Sequence, residues 1–262
     1  MDRTIRSHSL RIRGLRGIPE IKPGDDLARE IVRALTSEEN GGAGSPPKPE
    51  AGAVFVVAQK VVSKAEGRIV KLATVEPRAE AREWAARYGK DPRVVEVVLR
   101  EAKRVVRMER GILIAETRHG FVCANAGVDA SNVPRDCVTL LPVNPDESAR
   151  RLRAALERDL AVPVSVIISD TFGRPWRTGQ TDVALGVSGL CPLIDYRGRV
   201  DSSGRPMQAT MIAVADEIAA AAELVMSKTL GVPVAVVEGL PPAPAQGSAS
   251  DLIRSREEDL FR

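Results

Sequence analysis

The stretch VPVSVIISDTFGRPWRTGQTDVALGVSG, residues 162–189, decides how the chain is read. Its first eight residues form an apolar run rich in β-branched side chains, which predicts a buried strand over 162–169 that ends at Asp170. A polar segment follows, and residues 181–196 then carry one or two further strands interrupted by Gly186 and Gly189. Working outward, AVFVVA (53–58) reads as another buried strand, and 138–141 and 232–238 as two more. Residues 112–116 and 121–124 read as a hairpin joined through Arg118, His119 and Gly120. Helices are expected over 26–35, 76–88, 91–108, 144–160, 214–227 and 250–261. Pro77 and Gly89 bracket the second, and Asn144 with Glu147 three residues on caps the fourth. Residues 40–52 read as a surface loop and 197–206 as a polar turn. Strands and helices mix without a regular βαβ alternation. The expected class is therefore α+β, with largely antiparallel sheets and packed helices. The whole of 1–262 is expected to form one domain, or two intertwined subdomains.

Composition narrows the classes. A chain of 262 residues with 44% hydrophobic and 28% charged residues can bury a sizeable core and is neither disordered nor collagen-like. Only 3% are aromatic, so Val, Ile, Leu and Ala must fill that core, and Trp176 is expected within it. With 38 basic and 35 acidic residues, the near-neutral balance argues against a general binder of nucleic acid or membrane surfaces. Cys123, Cys137 and Cys191 are odd in number and lack a C-x-x-C, which argues against a disulfide framework or zinc ribbon and for packed, inert thiols. His8 and His119 are the only histidines, too few for a His-rich metal site, and His119 reads as a structural turn residue. Residues 1–11 hold no apolar signal core, and no run of 18 apolar residues occurs, so a reducing cytoplasm is the expected compartment.

The standard phosphate motifs G-x-x-x-x-G-K-[ST] and G-x-G-x-x-G are missing. Four polar clusters stand out instead. QKVVSKAEGR (59–68) follows a buried strand, and its Lys60 and Lys64 suit phosphate oxygens; it also reads as an ordinary charged loop. NAGVDASN (125–132) is rich in small residues, with Asp129 suited to a hard cation; it also reads as a plain turn. In SDTFGRPWRTG (169–179), a carboxylate at the end of an apolar run is costly unless paired or bound to metal. There Thr171 adds a hydroxyl, and Arg174 and Arg177 suit anionic oxygens; capping by Asp170 with solvated arginines is the plainer reading. MSKTLGV (226–232) either closes over a nucleotide or simply ends a helix at Gly231. Asp129 and Asp170 together, on separate strand ends with hydroxyl and cationic neighbours, have the make-up of a Mg²⁺- or Mn²⁺-triphosphate site.

These clusters, with IPEIKPGDDL (18–27), ADEIAAAAELVM (215–226) and SREEDLFR (255–262), resemble the coenzyme F420-0:L-glutamate ligases, or F420 gamma-glutamyl ligases. The matching blocks run in order along nearly the whole chain. The resemblance implies an α+β fold and a cytoplasmic, homodimeric, GTP-dependent ligase. Such an enzyme joins L-glutamate to F420-0, giving F420-1, GDP and phosphate, and in some members adds further gamma-linked glutamates. It implies Mg²⁺ or Mn²⁺, with K⁺ stimulating some members, and no fused nitroreductase-like domain in this chain. By position, Asp129, Asp170 and Thr171 match the metal pattern, and Asn132 a nucleotide contact. Pro19, Glu20, Ile21, Lys22, Gln59, Lys60 and Lys64 fall in GTP-site stretches. So does the loop of Met226, Ser227, Lys228, Thr229, Leu230, Gly231 and Val232, which is poorer in glycine than is usual in the family. Asp129, Asp170 and Lys64 are the expected catalytic residues, and Arg174 and Arg177 the expected contacts to anionic substrate groups. Other readings are a glutamyl ligase for another acceptor such as a folate, a non-catalytic GTP- or deazaflavin-binding protein, and a metal-dependent phosphohydrolase.

Overall fold

The structure is a computed structural model that describes residues 9–37, 40, 48–241 and 247–260. His8, residues 41–47 of the expected surface loop and Phe261 of the expected last helix lie outside the described residues. The strands, in chain order, are β1 (Arg11–Gly14), β2 (Val54–Ala58), β3 (Ile69–Lys71), β4 (Ala102–Glu109), β5 (Ile112–Thr117) and β6 (Val122–Ala124). They continue with β7 (Cys137–Thr139), β8 (Ser165–Arg174), β9 (Arg177–Ser188), β10 (Ile194–Asp195), β11 (Met211–Ile212) and β12 (Val234–Glu238). The α-helices are α1 (Leu27–Leu35), α2 (Gln59–Ala65), α3 (Ala79–Tyr88), α4 (Pro92–Glu101), α5 (Pro145–Leu160) and α6 (Val214–Met226).

The central sheet has five strands in the order β1-β12-β2-β8-β9. Only β2 and β8 pair in parallel; the other neighbours are antiparallel. Side chains alternate across the sheet. Phe55, Val57, Val166, Ile168, Val234 and Val236 pack with residues of α1 and α5 in one core cluster. Val54, Val56, Ile167, Ala184, Ala235 and Val237 pack with α6 residues in a second. Helices on both faces explain why β2, β8 and β12 are continuous apolar runs rather than alternating ones. A third core joins α3, α4, β5 and the chain around β7. The fold is α+β, as the sequence predicts.

Local chemistry sets the helix ends. Asp26 caps α1 by accepting from Arg29 N–H, and Asn144 caps α5 by accepting from Glu147 N–H. Glycine has a specific job at Gly186, where a Cβ would stand 2.3 Å from the Pro145 carbonyl oxygen. The absent side chain lets the first turn of α5 lie directly on β9.

Several expectations change. The helix read over 91–108 stops at Glu101, and 102–109 is strand β4. The apolar spacing there suits either form. Cross-strand ion pairs from Lys103 (3.0 Å) and Arg104 (3.0 Å) to buried Glu116 on β5 favour the strand. The strand read as ending at Asp170 continues to Arg174, because β9 pairs with it residue by residue beyond the core. Trp176 is therefore not in the core: it sits at the tip of this hairpin, 80% exposed. The helix read over 76–88 begins only at Ala79, past Pro77. The described part of the last expected helix is a single 3-10 turn, Ala249–Leu252, followed by turns.

Candidate active site

The parallel pair places the site. β2 and β8 run in the same direction with Ala58 opposite Ser169, so their carboxyl ends lie side by side. The chain leaving β2 enters α2 at once, which carries Gln59, Lys60 and Lys64. The chain of β8 runs on through Asp170 and Thr171. Clusters more than a hundred residues apart in sequence thus become neighbours.

The loop after β6 reaches the same place. Asn125, Ala126 and Gly127 all have positive φ (53°, 51° and 73°), which turns the chain sharply. A Cβ on Gly127 would lie 2.6 Å from the Leu141 side chain, so only glycine fits. Asp129 is then fixed by paired backbone hydrogen bonds with Thr139 (3.1 and 2.8 Å). Its carboxylate accepts from Ser131 N–H at 2.7 Å and from the Ser131 hydroxyl at 2.9 Å. Lys60 Nζ sits 2.7 Å from Asp129 Oδ2. Burial pushes the Asp129 carboxyl up, but Lys60 and Ser131 outweigh it and hold the group below its ordinary range.

Asp170 is the opposite case. Its pKa is raised to about 6, chiefly by burial, and Asp182 and Asp129 add like-charge repulsion. The Thr171 N–H and the Lys228 ammonium oppose the rise without cancelling it. Nearby Cys123 is pushed to about 12 by burial and by Asp170, so it is an inert thiol as expected.

Strand alternation separates Thr171 from Asp170. The Thr171 hydroxyl donates to Asp182 Oδ1 at 2.6 Å, and the Ser169 hydroxyl donates to Asp182 Oδ2 at 3.0 Å. Lys228 Nζ donates to the Thr171 hydroxyl oxygen and lies 3.4 Å from Asp182 Oδ1. Lys64 is almost fully buried and pairs at 2.5 Å with Glu20, whose side chain is 71% exposed.

Sequence-selected residues from all four clusters therefore meet, along with Glu20 from the N-terminal stretch. Others are placed differently. Ile21, Met226 and Val232 are core residues, so only their backbone can face a ligand. Gln59 is buried, its amide donating to the Ser63 hydroxyl (2.6 Å) and the Leu140 carbonyl (3.2 Å). Pro19, Lys22, Asn132, Ser227, Thr229, Leu230 and Gly231 are exposed on the surrounding loops. Arg174 and Arg177 stand at the hairpin tip, where Arg174 donates to the Thr178 carbonyl at 2.8 Å. His119 is structural, its Nε2 bonded to the Pro142 carbonyl at 2.9 Å. Asp182 is the residue that sequence reasoning missed. It is 4% exposed, and its signal is the one that marked Asp170: a carboxylate at the edge of an apolar strand.

The arrangement suits a hard divalent cation carried on phosphates. Asp129 and Asp170 offer anionic oxygens, and Thr171 a neutral one. The uncompensated repulsion at Asp170 is what a cation would relieve. Among the described residues no three His, Cys, Asp or Glu side chains converge into a metal cage. One or two carboxylates, with phosphates and waters completing the shell, is the usual manner of binding Mg²⁺ with a nucleotide. Also among the described residues, no helix is long and apolar enough to cross a membrane.

The family model for "F420-0:Gamma-glutamyl ligase" matches residues 16–239. The chain is similar to the "Coenzyme F420:L-glutamate ligase" of Methanothermobacter thermautotrophicus, 44% identical over 95% of this chain and 97% of that protein. It is 45% identical to the protein of the same name from Methanopyrus kandleri, over 93% and 94% of the two chains. The protein of that name from Methanocaldococcus jannaschii is 44% identical, over 81% and 86%. With the match spanning four of the five strands of the central sheet and every cluster of the site, the chain belongs to the F420-0:gamma-glutamyl ligase family and is an enzyme of the ligase class.

Proposed function

We propose that the protein joins L-glutamate to coenzyme F420-0 through an amide bond, consuming GTP and giving F420-1, GDP and phosphate. The observation that carries this reading is the internal pairing of the site. Lys60 is held by Asp129, Lys64 by Glu20 and Lys228 by Asp182, all around the carboxyl ends of one parallel strand pair. A cation-bound triphosphate would exchange partners in this cluster: Asp129, with Asp170, gains the cation, and the ammonium groups gain phosphate oxygens.

A carboxylate is a poor acyl donor, because its leaving group would be oxide. In the proposed first step a carboxylate oxygen of F420-0 attacks the γ-phosphorus of GTP, the bond to the β,γ-bridging oxygen breaks, and GDP leaves. In the second the amine of L-glutamate attacks the acyl carbon, the bond to the phosphate oxygen breaks, and the nitrogen gives up a proton. Lys64, with Lys22 from the adjoining loop, holds phosphate charge. Arg174 and Arg177 take anionic groups of F420-0 or glutamate. Asp129, Asp170 and Thr171 would hold Mg²⁺ or Mn²⁺, which when bound supplies charge neutralisation on the phosphates. Orientation and fixed charge supply the acceleration. The proposed active unit is a homodimer, as the family resemblance implies.

The deciding experiment is mass spectrometry of F420-0 incubated with the protein, GTP, L-glutamate and Mn²⁺. The expected product is one glutamyl residue heavier and forms only with GTP, and any ladder of heavier products reads out further additions. Phosphate release without glutamate would identify a phosphohydrolase instead. Ligation only to a different acceptor would move the acceptor assignment.

A further inference from the structure

We infer that Asp182 is a positioning residue, one that sets the hydroxyl of Thr171 so that its oxygen faces the cation-bearing phosphates. The inference rests on the ligase reading of the same site. Asp182 is 4% exposed, and both of its oxygens are occupied, Oδ1 by the Thr171 hydroxyl at 2.6 Å and Oδ2 by the Ser169 hydroxyl at 3.0 Å. An ionised carboxylate only accepts hydrogen bonds, so the single Thr171 proton is committed to Asp182. The lone pairs of Thr171 Oγ1 are then turned away from Asp182, and Lys228 Nζ already donates into them. In the free protein that ammonium supplies the positive charge at Thr171. Without Asp182 the Thr171 proton is free to rotate into the position a cation must use. Groups that orient a ligand in this way are worth roughly ten-fold or more in metal affinity.

The register explains why this pair exists. Thr171 and Asp182 are direct partners across β8 and β9, and Ser169, two residues before Thr171 on the same face, reaches the same carboxylate diagonally. Asp182 is therefore built into the hairpin rather than supplied by a mobile loop. It acts through Thr171 and is not itself a contact to the reacting atoms.

The test compares Asp182→Asn, Thr171→Val and the double variant in the full-length chain. Mn²⁺ affinity is read from the free-Mn²⁺ electron paramagnetic resonance signal, in the presence of a GTP analogue with a β,γ-imido bridge. Thermal melting is recorded alongside. Asp182→Asn alone is expected to weaken Mn²⁺ about ten-fold while melting cooperatively, and to add less than two-fold on top of Thr171→Val. Unchanged Mn²⁺ affinity in Asp182→Asn, or losses that multiply in full in the double variant, would overturn the inference. Should Asp182→Asn fail to melt cooperatively, Thr171→Ser and Thr171→Val decide: the serine variant must bind Mn²⁺ like the parent and the valine variant must not. Parent protein that binds Mn²⁺ with the analogue but ligates no glutamate would overturn the ligase reading alone.

Discussion

Replacing Asp170 with Asn is expected to abolish ligation and at the same time make the metal-free protein more stable. The folded Asp170 keeps its proton up to about pH 6, against an ordinary value of 3.8. Below 3.8 the carboxyl is neutral in both folded and unfolded chains and costs nothing. As pH rises from 3.8 to 6 the unfolded chain ionises freely while the folded one resists, so stability falls across that window. Above it the penalty is constant. At roughly 1.4 kcal/mol per pH unit the gap amounts to at most about 3 kcal/mol, reduced by whatever solvent reaches the group. Asparagine keeps the shape and carries no such penalty.

The assay is urea unfolding followed by circular dichroism, with a chelator present, at pH 7.5 and pH 4. The variant is expected to be more stable by about 1–3 kcal/mol at pH 7.5, and by less than about 1 kcal/mol at pH 4. Added Mn²⁺ is expected to narrow the gap at pH 7.5, because it stabilises only the protein that binds it. A variant no more stable than its parent at pH 7.5, or a gap that does not shrink at pH 4, would refute the account of Asp170 as a repelled, buried carboxylate. Normal turnover in the variant would remove Asp170 from the site.

Two further predictions concern the scaffold. Gly186→Ala forces a Cβ into the Pro145 carbonyl and is expected to lower the urea unfolding free energy by about 3 kcal/mol, since backbone cannot yield as a side chain can. Buried Glu96 accepts from Arg78 N–H at 3.0 Å and from Arg100 Nε at 2.8 Å. Burial raises its pKa, but the arginine bonds outweigh that and bring it to about 2, so its stabilisation is full above about 4.5 and is lost as pH falls towards 2. Glu96→Gln is therefore expected to cost about 2 kcal/mol at pH 7, with its unfolding curve converging on the parent's near pH 2.

Much of this was readable in the residues, for physical reasons that differ from element to element. Caps such as Asp26 and Asn144 act through local hydrogen bonds, so they are legible from three or four positions. The buried strands are legible because both sheet faces are covered, which removes alternation from their sequences. The segment 102–109 was not legible as strand. Its apolar spacing also fits a helix, and the choice is made by Glu116, which lies across a sheet that one segment alone does not reveal. Trp176 was misplaced because composition says only that large apolar residues are scarce, not that a paired hairpin carries this one outward. Asp170 drew attention because the apolar run stops there. Asp182 is harder to read, because it falls at the start of the strand expected over 181–196, where a carboxylate beside Gln180 and Thr181 passes for an ordinary polar edge residue.

The site owes its existence to one departure from the antiparallel pattern. An antiparallel neighbour would place the start of one strand beside the end of the other, and the chain entering α2 would leave from the far edge of the sheet. Pairing β2 and β8 in parallel brings both exits to the same edge, at Ala58 and Ser169. From there α2 carries Lys60 and Lys64 to one side, and the extension of β8 carries Asp170 and Thr171 to the other. In open α/β sheets ligands gather outside the carboxyl ends of parallel strands, where the loops are free to diverge. Here a single parallel pair in a mixed sheet provides the same opportunity. The remaining contributors reach that edge by anchored routes: Asp129 through its backbone pairing with Thr139, and Lys228 from the loop after α6. Under the proposed function the paired lysines exchange their carboxylates for a polyanion as its cation takes up Asp129 and Asp170, so binding of nucleotide and metal is expected to be coupled rather than independent.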